Sequence, residues 1–294
     1  MKVYLDCHAC IVRQALEAAR LATDDEQVHA RVMKAVMARL MDLSPEHTPI
    51  HVARETQLAI REAGGGDDPY AEVKREYNRR ALEMVPVLQS HIDAHPNRLA
   101  AAVKLAIAGN IMDFGATGGI FDLEEVIDSA LASDLDAETL DTFRRQVENA
   151  RLILYLGDNT GEIVFDRLLV EEIHRFSNAE VVFAVRSHPV LNDATPADAE
   201  EVGLPDVARV IGNGSDAPGT VLDWCSDELR QLFATADVII SKGQGNYESL
   251  SGTQGPIYFL LQAKCEVVGR DLGVPKGTTV LRAQTPEAIR KAAG

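Results

Sequence analysis

The chain has 294 residues, 46% hydrophobic and 25% charged, with a net charge of −16 from 45 acidic and 29 basic side chains. That length supports a full core, in one large domain or two modest ones, and no apolar run nears the roughly 20 residues that span a bilayer. The acidic balance argues against binding a nucleic-acid backbone, and four cysteines in so long a chain make no disulfide framework and point to a reducing cytoplasm.

The first ten residues, MKVYLDCHAC, meet an acid and a histidine too early for a signal peptide. Cys7 and Cys10 stand three apart around His8. Such a pair is a redox couple, half of a zinc site, or two reduced thiols on a helix. From there to about residue 149 the apolar residues recur at helical spacing, as in IVRQALEAARLA, VHARVMKAVMARLMDL and RLAAAVKLAIAGNIMDFG. Loops such as EAGGGDDP separate them, and the region reads as about six or seven helices. GNIMDFG sets Asn110 and Asp113 on one helical face, either to reach a site or simply to precede a helix stop at Gly115.

The period changes near residue 150. RLILYLGD, AEVVFAVRS, VARVIGNG, ADVIISKG, IYFLLQA and TTVLRA are short apolar runs with helix-forming stretches between several of them. That alternation predicts a Rossmann-like, mainly parallel sheet with helices on both faces over residues 150–294. The all-helical region 1–149 is expected to pack against it.

In such sheets ligands bind beyond the carboxyl ends of the strands. The first strand runs into GDNTGE, with Asp158, Asn159 and Glu162; the second ends at Arg186 and leads to Asn192, Asp193 and Thr195. GNGSDAPGT follows the third and SKGQGNYE the fourth, which brings Lys242, Gly243, Gly245, Asn246 and Glu248. Asp and Asn at such places also cap helices, and glycine also makes turns. Capping gives no reason for a lysine beside two glycines. Asp158, Asn159 and Asp193 offer two carboxylates and an amide oxygen, a donor set for a hard divalent ion. Lys242 offers a point charge to a phosphoryl oxygen, and Gly243 and Gly245 admit backbone N–H groups to the same anion. Asn246 and Glu248 are expected to face the substrate. Arg186 is a phosphate partner or a surface ion pair, and Glu162 is a base, a hydrogen-bond acceptor or a favourable helix-start charge.

Taken in order, GNIMDFG, GDNTGE, VRSHPVLNDAT, SKGQGNYE and LLQAKCEVVG resemble the motifs of the damage-control phosphatases, first catalogued as domain of unknown function 89. The opening DCHAC is similar to the Cys-x-x-Cys of that family's archaeal and bacterial branch. The resemblance implies a helical region joined to a Rossmann-like domain, with a divalent metal (Mg²⁺, Mn²⁺, Co²⁺ or Ni²⁺) at Asp158, Asn159 and Asp193. It also implies Lys242 as the phosphate-binding cation, Asn110 and Asp113 in contact with the substrate or behind it, and a small phosphorylated metabolite as substrate. The nucleophile is then a water or Asp158 itself. Two other readings share the sheet edge: a non-catalytic Rossmann-like nucleotide or metabolite binder, and a methyltransferase. The strand end GDNTGE lacks the glycine-rich loop that suits the latter's cofactor.

Overall fold

The computed structural model describes residues 1–41, 47–62, 68–109 and 123–285. Asn110 and Asp113 lie outside the described residues. Among the described residues seven helices come first: α1 (Leu5–Ala22), α2 (Glu26–Met41), α3 (Pro49–Glu62), α4 (Ala71–Ala94), α5 (Arg98–Gly109), α6 (Leu123–Ala132) and α7 (Ala137–Asn149). Strands and helices then alternate: β1 (Leu152–Leu156), α8 (Glu162–His174), β2 (Glu180–Val185), α9 (Pro196–Glu201), β3 (Arg209–Gly212), α10 (Asp227–Thr235), β4 (Val238–Lys242), α11 (Gly243–Leu250), β5 (Ile257–Gln262), α12 (Glu266–Leu272) and β6 (Thr279–Gln284).

The six strands form one sheet in the order β3-β2-β1-β4-β5-β6. All neighbours are parallel except β5 and β6, which run antiparallel. Side chains alternate across each strand, so the sheet feeds two cores. Ile153, Tyr155, Phe183, Ile240 and Tyr258 face one, and Leu154, Leu156, Val182, Ile239 and Phe259 the other. Both faces being covered explains why these strands are continuously apolar.

α5 shows why the helical region lies on the sheet. RLAAAVKLAIAG is buried nearly all round, which requires partners on every side. It packs between α4, α6 and α8 and reaches β5 and β6. At its end a side chain on Gly109 would crowd the Phe165 ring at 3.0 Å, so α5 and α8 meet closely. Helices α1–α3 hold a separate core, where Ala15, Ala18 and Ala19 of α1 meet Val28, Val32 and Val36 of α2. Each such buried valine contributes roughly 1.5–3 kcal/mol.

The chain moves outward from β1 through β2 to β3, then returns to β4 on the other side of β1. A crevice opens at that reversal, beyond the carboxyl ends of β1 and β4. Both GDNTGE and SKGQGNYE start there.

Candidate active site

Backbone bonds continue the sheet past the ends of β1 and β2 and set two carboxylates side by side. The Gly157 N–H donates to the Ala184 carbonyl (2.9 Å), Ala194 N–H to Asp158 (2.8 Å), Arg186 N–H to Ala194 (2.9 Å) and Thr160 N–H to Asn192 (2.9 Å). Asn159 and Asp193 form an antiparallel bridge. Asp158 and Asp193 are both buried, and Arg186 lies between them. Its Nε donates to Asp193 Oδ2 (2.6 Å), and an Nη atom stands 3.5 Å from Asp158 Oδ1. The rest of the guanidinium bonds Asn246 Oδ1 (3.3 Å) and Thr220 Oγ1 (3.5 Å). Arg186 thus spends its donors on protein groups and clamps the two acids.

Asn159 Nδ2 donates to Asp158 Oδ2 (3.0 Å) and Glu162 Oε2 (3.2 Å). Its amide oxygen is left uncommitted among the described residues. Gly161, at φ 75°, turns the chain into α8, and its N–H donates to Asn78 Oδ1 of α4 (2.8 Å).

Lys242 takes a different direction from the one its motif suggests. Along β4, Val238 and Ile240 face the α8 side of the sheet, so alternation turns Lys242 the same way. Its side chain is fully buried, and Nζ donates to Glu162 Oε1 (2.7 Å), to Asp166 Oδ1 and to the Ala106 carbonyl of α5 (2.8 Å). Tyr155 Oη also donates to Asp166 Oδ1 (2.8 Å). Burial opposes the ammonium, but Asp166 and Glu162 hold its pKa above the ordinary lysine value.

The glycines of SKGQGNYE divide their work. Gly243 is left-handed (φ 76°), and a Cβ there would overlap the Asp158 carboxylate. Gly245 instead meets the Pro218 carbonyl, and a Cβ there would collide with it. Asn246 is fully buried and ties the strand ends together through Gly157 O (3.1 Å) and Lys242 O (2.9 Å). Glu248 lines the crevice, accepts from Gln244 Nε2 (2.8 Å), and is pushed up to about 7 by burial.

Two cavities open on this group. One, of about 410 Å³, is lined by Asp158, Asp193, Gln244, Gly245 and Glu248, with Cys7 and Cys10 of α1 opposite. The other, of about 580 Å³, runs toward Tyr70, Tyr77, Gln262 and Lys276. They share Gln14, Asn159, Leu191, Asn192 and Lys264. Neither Lys242 nor Arg186 lines either one.

The charges do not balance. Asp158, Asp193, Glu162 and Asp166 are four buried carboxylates against two buried cations, Arg186 and Lys242. Burial first, then the neighbouring Asp193 and Glu162, push Asp158 well above the usual carboxylate range; burial likewise raises Asp193. A divalent cation beside Asp158 and Asp193 would supply the missing charge, and an all-oxygen donor set is the chemistry such an ion prefers. Among the described residues no three His, Cys, Asp or Glu side chains converge as a complete metal cage. Asp158, Asp193 and the Asn159 amide could hold an ion only with further ligands from water or substrate.

Asp166, Thr220, Asn78 and Lys264 belong to this site although no motif reading singled them out. Asp166 had a visible signal: it is the lone acid in the stretch IVFDRLLV and lies four residues after Glu162, on the same helical face. Thr220 and Asn78 had none, because only the fold brings them to Asn246 and Gly161.

A doubly wound α/β sheet with a carboxylate cluster at its switch point defines a class of small-ligand sites, and similarity narrows it further. The model of the damage-control phosphatase ARMT1-like domain matches residues 3–280. The chain belongs to that family. It is 36% identical over 283 residues to a damage-control phosphatase of Pyrococcus horikoshii, covering 95% of this chain and 97% of that one. It is 34% identical over 286 residues to one of Archaeoglobus fulgidus, covering 96% and 99%. An uncharacterised protein of Methanocaldococcus jannaschii matches at 36% over 290 residues, 96% of this chain and 95% of that one. The crystal structure of a DUF89 family protein from P. horikoshii superposes with a TM-score of 0.88 at 34% identity, covering 97% of this chain and 99% of that one.

Proposed function

We propose that this protein is a metal-dependent phosphatase that hydrolyses a small phosphomonoester in the crevice beyond β1 and β4. The observation that carries the reading is the pair of buried carboxylates, Asp158 and Asp193, held side by side with too little positive charge around them. The family and its phosphatase-named relatives support it.

In this reading Asp158, Asn159 and Asp193 hold the divalent ion, of the Mg²⁺, Mn²⁺, Co²⁺ or Ni²⁺ type. Bound there, it supplies Lewis-acid polarisation of the phosphoryl oxygens. Arg186 fixes the spacing of the two carboxylates instead of touching phosphate. Lys242 acts through Glu162, whose other oxygen orients the Asn159 amide. The first turn of α11, Gly243 to Gly245, presents backbone N–H groups and the positive end of a helix to the phosphate. Gly243 and Gly245 serve this by letting that turn lie against Asp158 and Pro218. Lys264 lines both cavities, and its charge acts on Asp158. Both Asp158 oxygens are engaged, by Arg186 and by Asn159, which favours water as the nucleophile. Glu248 borders the crevice and contacts the substrate's leaving group. The strongly acidic surface suits a small anion held locally, and four free cysteines suit a cytoplasmic setting.

A screen of small phosphomonoesters with Mg²⁺, Mn²⁺, Co²⁺ and Ni²⁺ tests the reading. Asp158→Ala and Asp193→Ala, folded by circular dichroism, are expected to lose more than about 100-fold in kcat/KM, beyond the loss typical of supporting residues around a metal. Turnover in ¹⁸O-water is expected to label the phosphate and leave the protein unlabelled. Full activity after chelation sinks the proposal.

A further inference from the structure

The larger cavity extends away from the carboxylates, and the reaction proposed above gives it no task. It shares Asn159, Asn192 and Lys264 with the smaller cavity and is also lined by Lys276. The two lysines sit on neighbouring segments. Lys264 follows β5 and Lys276 lies in the turn before β6; Gly277 N–H donates to the Ala263 carbonyl (2.8 Å) and Ala263 N–H to Thr278 (3.1 Å). Gln262 Nε2 adds a bond to the Gly277 carbonyl (2.9 Å), and Lys264 N–H is held by Gln244 Oε1 (3.2 Å). The backbone of both is therefore pinned, while neither ammonium has a hydrogen bond or ion pair among the described residues. Both side chains are exposed and solvated, and they set two positive charges on one wall of the cavity in a chain of net charge −16. The reacting phosphate accounts for Lys264, which stands at the junction. Lys276 lines only the far cavity and is left over. Across from it Glu17 lines the α1 side and Tyr70 and Tyr77 the α4 side. Glu17 repels an anion and so confines it to the lysine wall.

We infer that the substrate carries a second anionic group, a carboxylate or a second phosphate, and that Lys276 binds it in the larger cavity. The inference rests on the phosphatase reading and adds the chemistry of the group opposite the reacting phosphate. A charge-assisted bond to a group the competitor lacks discriminates by up to about tenfold.

The test uses the metal-loaded enzyme and phosphate monoesters of hydroxy acids three to six carbons long. Each is paired with the diol monophosphate of equal length and with the corresponding bisphosphate. At one length at least, the acid or the bisphosphate is expected to exceed its neutral partner about tenfold in kcat/KM, expressed in KM. Which of the two leads identifies the second group. Lys276→Gln is expected to erase the preference, while Lys34→Gln on α2 removes the same charge and keeps it. Equal or better turnover of the neutral esters at every length overturns the inference and leaves the phosphatase reading standing. A preference that survives Lys276→Gln also overturns it. No turnover of any ester sinks the phosphatase reading instead. Calorimetric binding of the same pairs then decides the cavity's role, and no tighter binding of the dianions ends the proposal.

Discussion

At the scale of single residues the site depends on a glycine more than on the lysine before it. Gly243 combines a left-handed backbone with the Asp158 carboxylate lying where a Cβ would go. Alanine would be strained in that backbone by about 1–2 kcal/mol, and its methyl would also displace Asp158. A displacement of about 1 Å at a reacting centre costs roughly 100-fold. Gly243→Ala is therefore expected to lower kcat/KM by about 100-fold while the denaturation midpoint moves only modestly. Steady-state kinetics and urea unfolding measure the two. A variant that unfolds readily but keeps normal kcat/KM would show Gly243 to be a turn residue only. The residue types at this edge were legible in the sequence, because each carboxylate or glycine follows a strand end. Their directions were not. Lys242 stands beside two glycines in the chain, yet strand alternation aims it into the α8 side, where Glu162 and Asp166 hold it. Arg186 reads as a phosphate partner or a surface ion pair, yet the Asp193 bridge draws it inward.

Among the connecting elements, the loop from β2 to α9 is the one the site leans on. It carries Asn192 and Asp193 and is tied to the β1 end by the Ala194–Asp158 and Thr160–Asn192 bonds. Before them stands Leu191 at φ 49°, the non-glycine residue with positive φ among the described residues, at the junction of both cavities. A leucine in that conformation stores roughly 1–2 kcal/mol, and such strain collects at functional sites. Leu191→Gly relieves it but adds about 0.5–1 kcal/mol of unfolded-chain entropy. Stability is expected to change by less than about 1 kcal/mol, while kcat/KM falls about tenfold because the loop is looser and the cavity wall is gone. Raised stability with unaltered kcat/KM would mean that Leu191 only tolerates its strain. The six strands and the helical first half were readable because each has its own period. The packing of α4 and α5 onto α8 was not, since it depends on contacts such as Asn78 with Gly161 that lie 83 residues apart.

For the whole molecule the decisive quantity is the excess of negative charge at its centre. Asp158, Asp193, Glu162 and Asp166 bury four negative charges against Arg186 and Lys242, in a protein already at −16. Repulsion there strains the metal-free fold, and a cation that binds only the folded state stabilises it by mass action. At a hundred times its dissociation constant the gain is about 2.7 kcal/mol, which in a chain of this size raises Tm by roughly 5 °C. Mn²⁺ added to chelator-treated protein is therefore expected to raise Tm by that amount, read by scanning calorimetry without any substrate. Asp158→Asn separates the explanations, because it removes one of the repelling charges and keeps the shape of the side chain. Arg186 stays paired through Asp193 at 2.6 Å, so the metal-free variant should melt no lower than the parent. Its response to Mn²⁺ should vanish. A lower metal-free Tm with an intact Mn²⁺ shift would mean that Asp158 holds the strand end together and that the ion binds elsewhere.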